Sequence, residues 1–120
     1  MTLAQRAMQF WSVLVFAART QQVLSYEMLF QLTGVVARGQ SKELGIIWTY
    51  CEQQQLPILT SIVLEQSTGR PADPLLNAAL TDLAAEHRRV FIFDWFKNPA
   101  PTLAEFQAAA AKLKEGETTQ

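Results

Sequence analysis

The segment from Leu24 to Gly34 constrains the fold of this chain more than any other. Ser25 precedes a helix-forming run and Gly34 follows it, which is typical of a short helix with a side-chain cap and a left-handed glycine at its end. Ser41, seven residues after Gly34, is the expected cap of a further helix over 42–54. An apolar, β-branched run from 57 to 64 then predicts a strand. This order of elements predicts a helix-turn-helix.

The rest of the chain extends this prediction to an α+β, mostly helical fold. We predict a winged helix-turn-helix with a short β-hairpin and an added C-terminal helix, the turn at 67–71 forming the tip of the wing. Residues 3–20 predict a first helix that is apolar nearly all round and therefore central. A capping box at Thr102–Glu105 predicts a last helix over 103–113.

Length and composition predict one domain. The chain has 120 residues, of which 49% are hydrophobic, and we expect a single domain over 1–113 with a polar, frayed tail over 114–120. Residues 71–80 contain two prolines and are expected to be irregular. A further helix is expected from 81 or 82 to about 93. The aromatic run at 90–96 fits a helix or a strand equally well.

The charge distribution bears on nucleic-acid binding. The net charge of −1 argues against a strongly basic nucleic-acid binder. Residues 1–42, however, carry four basic side chains and a single acidic one, Glu27. One copy would bind phosphates only weakly, and a homodimer, which we predict, would double the contacts.

Cysteine and histidine counts limit the chemistry further. One Cys and one His exclude an internal disulfide and make a structural metal site implausible, so we expect no metal and no cofactor. A reducing cytoplasm fits this composition. The apolar run over 7–18 is too short for a span of about 20 residues, so we expect a buried helix and no membrane partner.

From residue 24 to 63 the chain resembles the DNA-binding part of alkylguanine-DNA alkyltransferases and alkyltransferase-like proteins. Ser25-Tyr26 matches the Thr/Ser-Tyr that precedes a short helix in that family, and Gly34 matches the glycine near its end. The Pro-Ile-Leu at 57–59 matches a further family motif. The resemblance implies a DNA-binding scaffold with Tyr26 near a phosphate.

The chain departs from that family at the positions that carry its chemistry. Lys42 lies three residues before Gly45, where the family has an arginine that enters the base stack. Lysine lacks the planar guanidinium, so base flipping is not expected. The reactive Pro-Cys-His-Arg motif is replaced by Thr-Ser-Ile-Val at 60–63, which removes the thiol needed for alkyl transfer.

The predicted DNA contacts lie around the starts of the two helices, where free backbone N–H groups favour phosphate. On the third helix the Lys42–Ile46–Thr49–Gln53 side is expected to enter the major groove of double-stranded DNA, while Leu44, Ile47, Trp48 and Cys51 face the core. The predicted nucleic-acid-binding residues are Tyr26, Arg38, Gln40, Ser41, Lys42, Thr49 and Arg70.

Three residues have side chains that could carry out chemistry, but each is expected to have a structural role. The chain is therefore predicted not to be an enzyme. Cys51 is expected to be an inert core cysteine. His87 lies in a charged stretch and is expected on a solvated face. Asp94 lies between aromatic residues and is expected to be paired with Arg88 or Arg89.

A protein-interaction module or inhibitor, of the kind found in phages or plasmids, is the alternative function. It would keep the winged-helix shape without binding DNA. The near-zero net charge favours it, as do apolar residues that we expect at a partner interface, Ile46 and Phe96.

Overall fold

The computed structural model describes the backbone of residues 1–118 and the side chains of residues 1–114. This part of the chain is mostly helical, with one small sheet. Its helices and strands in chain order are α1 (Leu3–Arg19), β1 (Leu24–Ser25), α2 (Tyr26–Thr33), α3 (Ser41–Gln53), β2 (Val63–Leu64), α4 (Pro74–Ala79), α5 (Leu83–Ile92) and α6 (Leu103–Thr118). Short 3₁₀ turns lie at Ala37–Gly39 and Leu59–Ile62.

The core is built around α1, as its apolar circumference predicts. α3 and α6 pack against α1 and against each other. The indole of Trp11 meets three rings edge-on, those of Tyr50, Trp95 and Phe106, at centroid distances of 5.6, 5.5 and 6.0 Å. None of the described helices is both long and apolar enough to cross a membrane.

The helix boundaries predicted at Ser25, Gly34 and Thr102 are confirmed. The hydroxyl of Ser25 accepts the N–H of Met28 at 3.0 Å and so caps α2. Gly34 ends α2 with a φ of +79°. The Thr102 hydroxyl and the Glu105 carboxylate each accept the other residue's backbone N–H, which is the predicted capping box.

Replacing Gly34 by alanine is expected to lower the free energy of unfolding by about 1 kcal/mol, because alanine is strained at positive φ. No atom lies within 4 Å of the added methyl group, so the cost is conformational rather than steric. Gly39→Ala is the matched control, since its methyl group would meet Val35 and Val36 at ordinary distances of 3.5 and 3.7 Å. Urea unfolding of both variants checks this. An equal loss in the two would contradict it.

The predicted strand over 57–64 is mostly wrong, and the predicted β-hairpin is wrong. Only Val63 and Leu64 form a strand, and they pair in parallel with Leu24 and Ser25. Pro57 cannot donate a ladder hydrogen bond. The next residue, Ile58, donates its N–H to the Glu86 carboxylate at 2.8 Å rather than to a strand. Tertiary contacts therefore override the β-propensity of this run.

The segment after β2 also differs from the prediction. A turn does occupy the wing position, with Gly69 at a φ of +67°. The chain then enters α4, whose start is capped by Asp73 with Pro74 in the first turn, where irregular structure was expected.

The C-terminal region contains the aromatic run at 90–96 and the last helix, α6. The aromatic run is helical to Ile92 and extended at Phe93. The backbone of α6 continues to Thr118, beyond the end predicted at about residue 113, and residues 119–120 of the expected tail lie outside the described part.

Candidate binding groove

A groove of about 800 Å³ lies between the start of α2, one side of α3 and the loop that joins β2 to α4. Leu44 and Trp48 of α3 are half-buried and line it, whereas Ile47 and Cys51 are fully buried as predicted. The apolar part of its lining consists of Ala37, Leu44, Trp48, Ala72, Pro74 and Leu76. The groove is therefore an apolar cleft with access to solvent.

Tyr26 fixes one wall of the groove. Its hydroxyl oxygen accepts the backbone N–H of Ala72 at 2.8 Å, which ties the β2–α4 loop to α2. Burial raises the pKa of Tyr26, the Ala72 hydrogen bond lowers it, and the carboxylates of Glu65 and Asp73 raise it further. The phenol therefore keeps its proton at neutral pH and can donate it to a ligand.

Gln40, a predicted DNA contact, has a structural role instead. Its side chain is fully buried, and its Nε2 donates to the carbonyl oxygens of Tyr26 at 3.1 Å and Val35 at 2.8 Å. It thereby holds the turn between α2 and α3 against the start of α2. Gln40 also occupies the N-cap position of α3, so Ser41 is the first helical residue rather than the cap.

Arg70 also turns inward rather than toward a nucleic acid. Its guanidinium donates to the side-chain oxygen of Asn77 and, at 2.9 Å, to the carbonyl oxygen of Leu80. These bonds attach the predicted wing tip to the end of α4. Two of the three guanidinium nitrogens of Arg70 are therefore engaged within the fold.

The other predicted DNA contacts are divided between two places. Arg38 and Ser41 are exposed and line the groove together with Tyr26. Lys42 is also exposed, but it lies beside the end of α6, and Thr49 is half-buried. The structure thus brings three of the seven predicted residues together in the groove and leaves the others outside it.

The two predicted partner-interface residues differ in their exposure to solvent. Ile46 is fully buried in the core, so it cannot form part of an exposed interface, and the α3 side that was expected to enter DNA is partly covered by α6. Phe96 is 64% exposed, with the guanidinium of Arg19 lying 5.4 Å from its ring centre. Phe96 remains available at the surface.

The groove carries an excess of negative charge. Three carboxylates line it, those of Glu27, Glu65 and Asp73, against a single cation, Arg38. The ion pairs found in the described part of the chain, Arg6–Glu43 and Arg89–Glu86, do not involve these carboxylates. Among the described residues, no salt bridge therefore neutralises their charge.

A buried hydroxyl also lines the groove. Thr60 is only 2% exposed, and its Oγ1 has no hydrogen-bond partner among the described residues. An unpaired buried polar group costs about 1–3 kcal/mol, so a ligand that bonds to this oxygen would recover part of that cost.

Comparison with protein-family models, curated proteins and solved structures found no match. The geometry and charge of the groove carry the functional argument, because function resides in sites rather than in folds.

The residues with catalytic potential do not converge on the groove. Cys51 is fully buried, and burial raises the pKa of its thiol to about 12, with the Leu59 backbone hydrogen bond lowering it and the carboxylates of Glu86 and Glu52 raising it. The thiol is therefore protonated at neutral pH and inert, as predicted.

His87 and Asp94 have structural partners. The His87 Nε2 lies 2.7 Å from the Ser61 carbonyl oxygen, so this ring faces the 3₁₀ turn and is not simply solvated. Asp94 accepts the backbone N–H of Lys97 at 3.1 Å, and the expected ion pair with Arg88 or Arg89 is not formed. Within residues 1–114 no cluster of His, Cys, Asp or Glu is arranged to hold a metal ion.

Sequence reasoning missed Thr60, Glu65 and Asp73 as members of the site. A signal existed for Asp73, because Asp followed by Pro is a typical helix start and would have predicted α4. No local signal marks Thr60 or Glu65, since only the folded chain brings them beside Tyr26.

Proposed function

We propose that this protein is a non-enzymatic interaction module that binds a segment of another protein in the groove between α2, α3 and the β2–α4 loop. The observation that carries the proposal is the groove itself, about 800 Å³ of largely apolar cleft with polar groups at its edges. Binding sites in proteins commonly have this size and this combination of apolar surface with a few placed polar groups.

The charge of the groove favours a polypeptide over a nucleic acid. Glu27, Glu65 and Asp73 outnumber Arg38, so the groove would repel a phosphate backbone. Trp48 is the one half-buried indole of the three in the chain, and it offers a flat apolar surface to a ligand. Aromatic side chains of this kind frequently anchor protein–protein contacts.

Selection from a phage-displayed peptide library tests the proposal, with the groove blocked in a matched variant. Ala72→Trp places an indole in the groove at an exposed position, and Ala78→Trp places one on α4 outside the groove lining. Peptides selected on the wild type should bind Ala78→Trp unchanged and Ala72→Trp about tenfold or more weakly. Equal binding to both variants, or no peptide with a Kd below about 1 mM, would refute the proposal.

Double-stranded DNA is the second candidate partner, at the first turn of α3. The observation that favours it is the exposure of Arg38, Ser41 and Lys42 at this helix start, where backbone N–H groups and the helix dipole attract phosphate. A protein that binds DNA in this way would act as a regulator or as an accessory to a DNA-processing complex. Its affinity would fall steeply with salt and would depend on Lys42.

A further inference from the structure

The acceptor groups of the groove identify the chemistry of its ligand, and this inference rests on the proposed function. The Oδ1 atom of Asp73 caps α4 by accepting the N–H groups of Leu75 and Leu76, so this carboxylate is held in a fixed position. Glu65 and Asp73 both lie close enough to the Tyr26 hydroxyl to raise the pKa of that phenol. Two carboxylates therefore flank the same part of the groove.

The Thr60 hydroxyl extends this arrangement to the buried side of the groove. Its oxygen is almost fully buried and has no partner among the described residues, and a hydroxyl can accept a hydrogen bond from a ligand or donate one to it. Carboxylates accept hydrogen bonds and cannot donate them when ionised. The three carboxylates that line the groove therefore favour a ligand that supplies hydrogen-bond donors and positive charge.

An arginine or lysine side chain on a polypeptide meets these requirements. The guanidinium of arginine carries five donors, the lysine ammonium three, and both have aliphatic stems that can lie on Leu44 or Leu76. The guanidinium plane can also stack on the half-buried indole of Trp48. Arginine fits the groove better than lysine does. Its guanidinium can bond to the carboxylates and stack flat on the indole, while its aliphatic stem covers apolar surface.

We infer that the groove binds a basic segment of a partner protein, with an arginine side chain placed among Glu65, Asp73 and Trp48. Apolar residues next to that arginine would cover the remaining floor of the groove. The partner is accordingly a protein whose exposed segment combines one cation with apolar neighbours. An acidic segment would meet the carboxylates of Glu27, Glu65 and Asp73 and be repelled.

Four fluorescein-labelled heptapeptides test the inference, with the sequence Gly-Ala-Leu-X-Leu-Ala-Gly and Arg, Lys, Gln or Glu at X. Fluorescence anisotropy at physiological salt should give the tightest binding for Arg and about tenfold or more weaker binding for Glu. Equal affinity for the Arg and Glu peptides, or no binding by either, would overturn the inference. Free arginine that binds as tightly as the Arg peptide would also overturn it, by indicating a small-molecule site.

Charge-neutralising variants test whether Glu65 and Asp73 cause the preference for the Arg peptide. Glu65→Gln combined with Asp73→Asn removes both charges, and asparagine still accepts the N–H bonds that cap α4. This variant should bind the Arg peptide about tenfold more weakly and the Gln peptide unchanged. Glu52→Gln, at an exposed position outside the groove lining, is the control and should bind all four peptides as the wild type does. Equal binding of the Arg peptide by wild type and double variant would overturn the inference.

Failure of this inference can be distinguished from failure of the proposed function. If selected peptides are sensitive to Ala72→Trp but carry no basic residue, the groove is a binding site and the inference about charge is wrong. If no peptide of any charge depends on the groove, both are wrong.

Discussion

Trp11→Ala is expected to destabilise the fold by about 3–5 kcal/mol, the largest loss we predict for a single substitution. The indole is 8% exposed and meets the rings of Tyr50, Trp95 and Phe106 edge-on, so its removal leaves a cavity at the junction of α1, α3 and α6. Edge-to-face aromatic pairs add about 0.5–1.5 kcal/mol each beyond the area they bury. Urea unfolding followed by circular dichroism measures the change.

Phe16→Ala is the control for this substitution. Phe16 lies on the same helix, is 66% exposed and should change the free energy of unfolding by no more than about 0.5 kcal/mol. If Trp11→Ala and Phe16→Ala cost the same, α1 would not occupy the centre of the core.

The Cys51 thiol is expected to react with a thiol reagent about a thousandfold more slowly in the folded protein than in the unfolded protein at pH 8. The reason is that burial raises the pKa of this thiol to about 12, so the thiolate, which is the reactive form, is scarce. Reaction with Ellman's reagent, with and without denaturant, checks this. Rapid reaction of the folded protein would contradict the buried position of Cys51.

The same pKa shift makes stability depend on pH. The unfolded thiol, with a pKa near 9, releases its proton before the folded thiol does, so the free energy of unfolding should fall as pH rises above about 9 and continue to fall toward 12. The slope from this group is about 1.4 kcal/mol per pH unit between those values. Cys51→Ala should remove that slope, whereas an unchanged slope would assign the effect to other groups such as Tyr26 and Tyr50, whose pKa values are also raised.

Local sequence signals predicted both ends of α2 and the start of α6 because each of these boundaries is encoded within a few residues. Ser25 and Gly34 define the two ends of α2, and the Thr102–Glu105 capping box defines the start of α6. Such caps depend on hydrogen bonds between neighbours in sequence, so they can be recognised without tertiary structure.

The predictions from sequence were wrong where contacts with residues elsewhere in the chain determine the local structure. The 57–64 run has strand composition, yet Glu86, from α5, accepts the N–H of Ile58 and the following residues form a 3₁₀ turn. Gln40 and Arg70 carry side chains typical of a DNA-binding surface, but each donates hydrogen bonds to backbone carbonyl oxygens within the fold. The groove was not predicted for the same reason, because its walls come from segments far apart in the chain.

The most direct test of the central claim, that the groove rather than the start of α3 is the binding site, is a set of NMR titrations of the ¹⁵N-labelled protein. The Arg and Glu heptapeptides and a duplex DNA would each be added at low and at physiological salt. We predict that the Arg peptide shifts the Trp48 indole and the Thr60 and Ala72 amide signals, and that duplex DNA leaves them unchanged. Salt-sensitive shifts at Lys42 with DNA, and no shifts in the groove with either peptide, would contradict the claim.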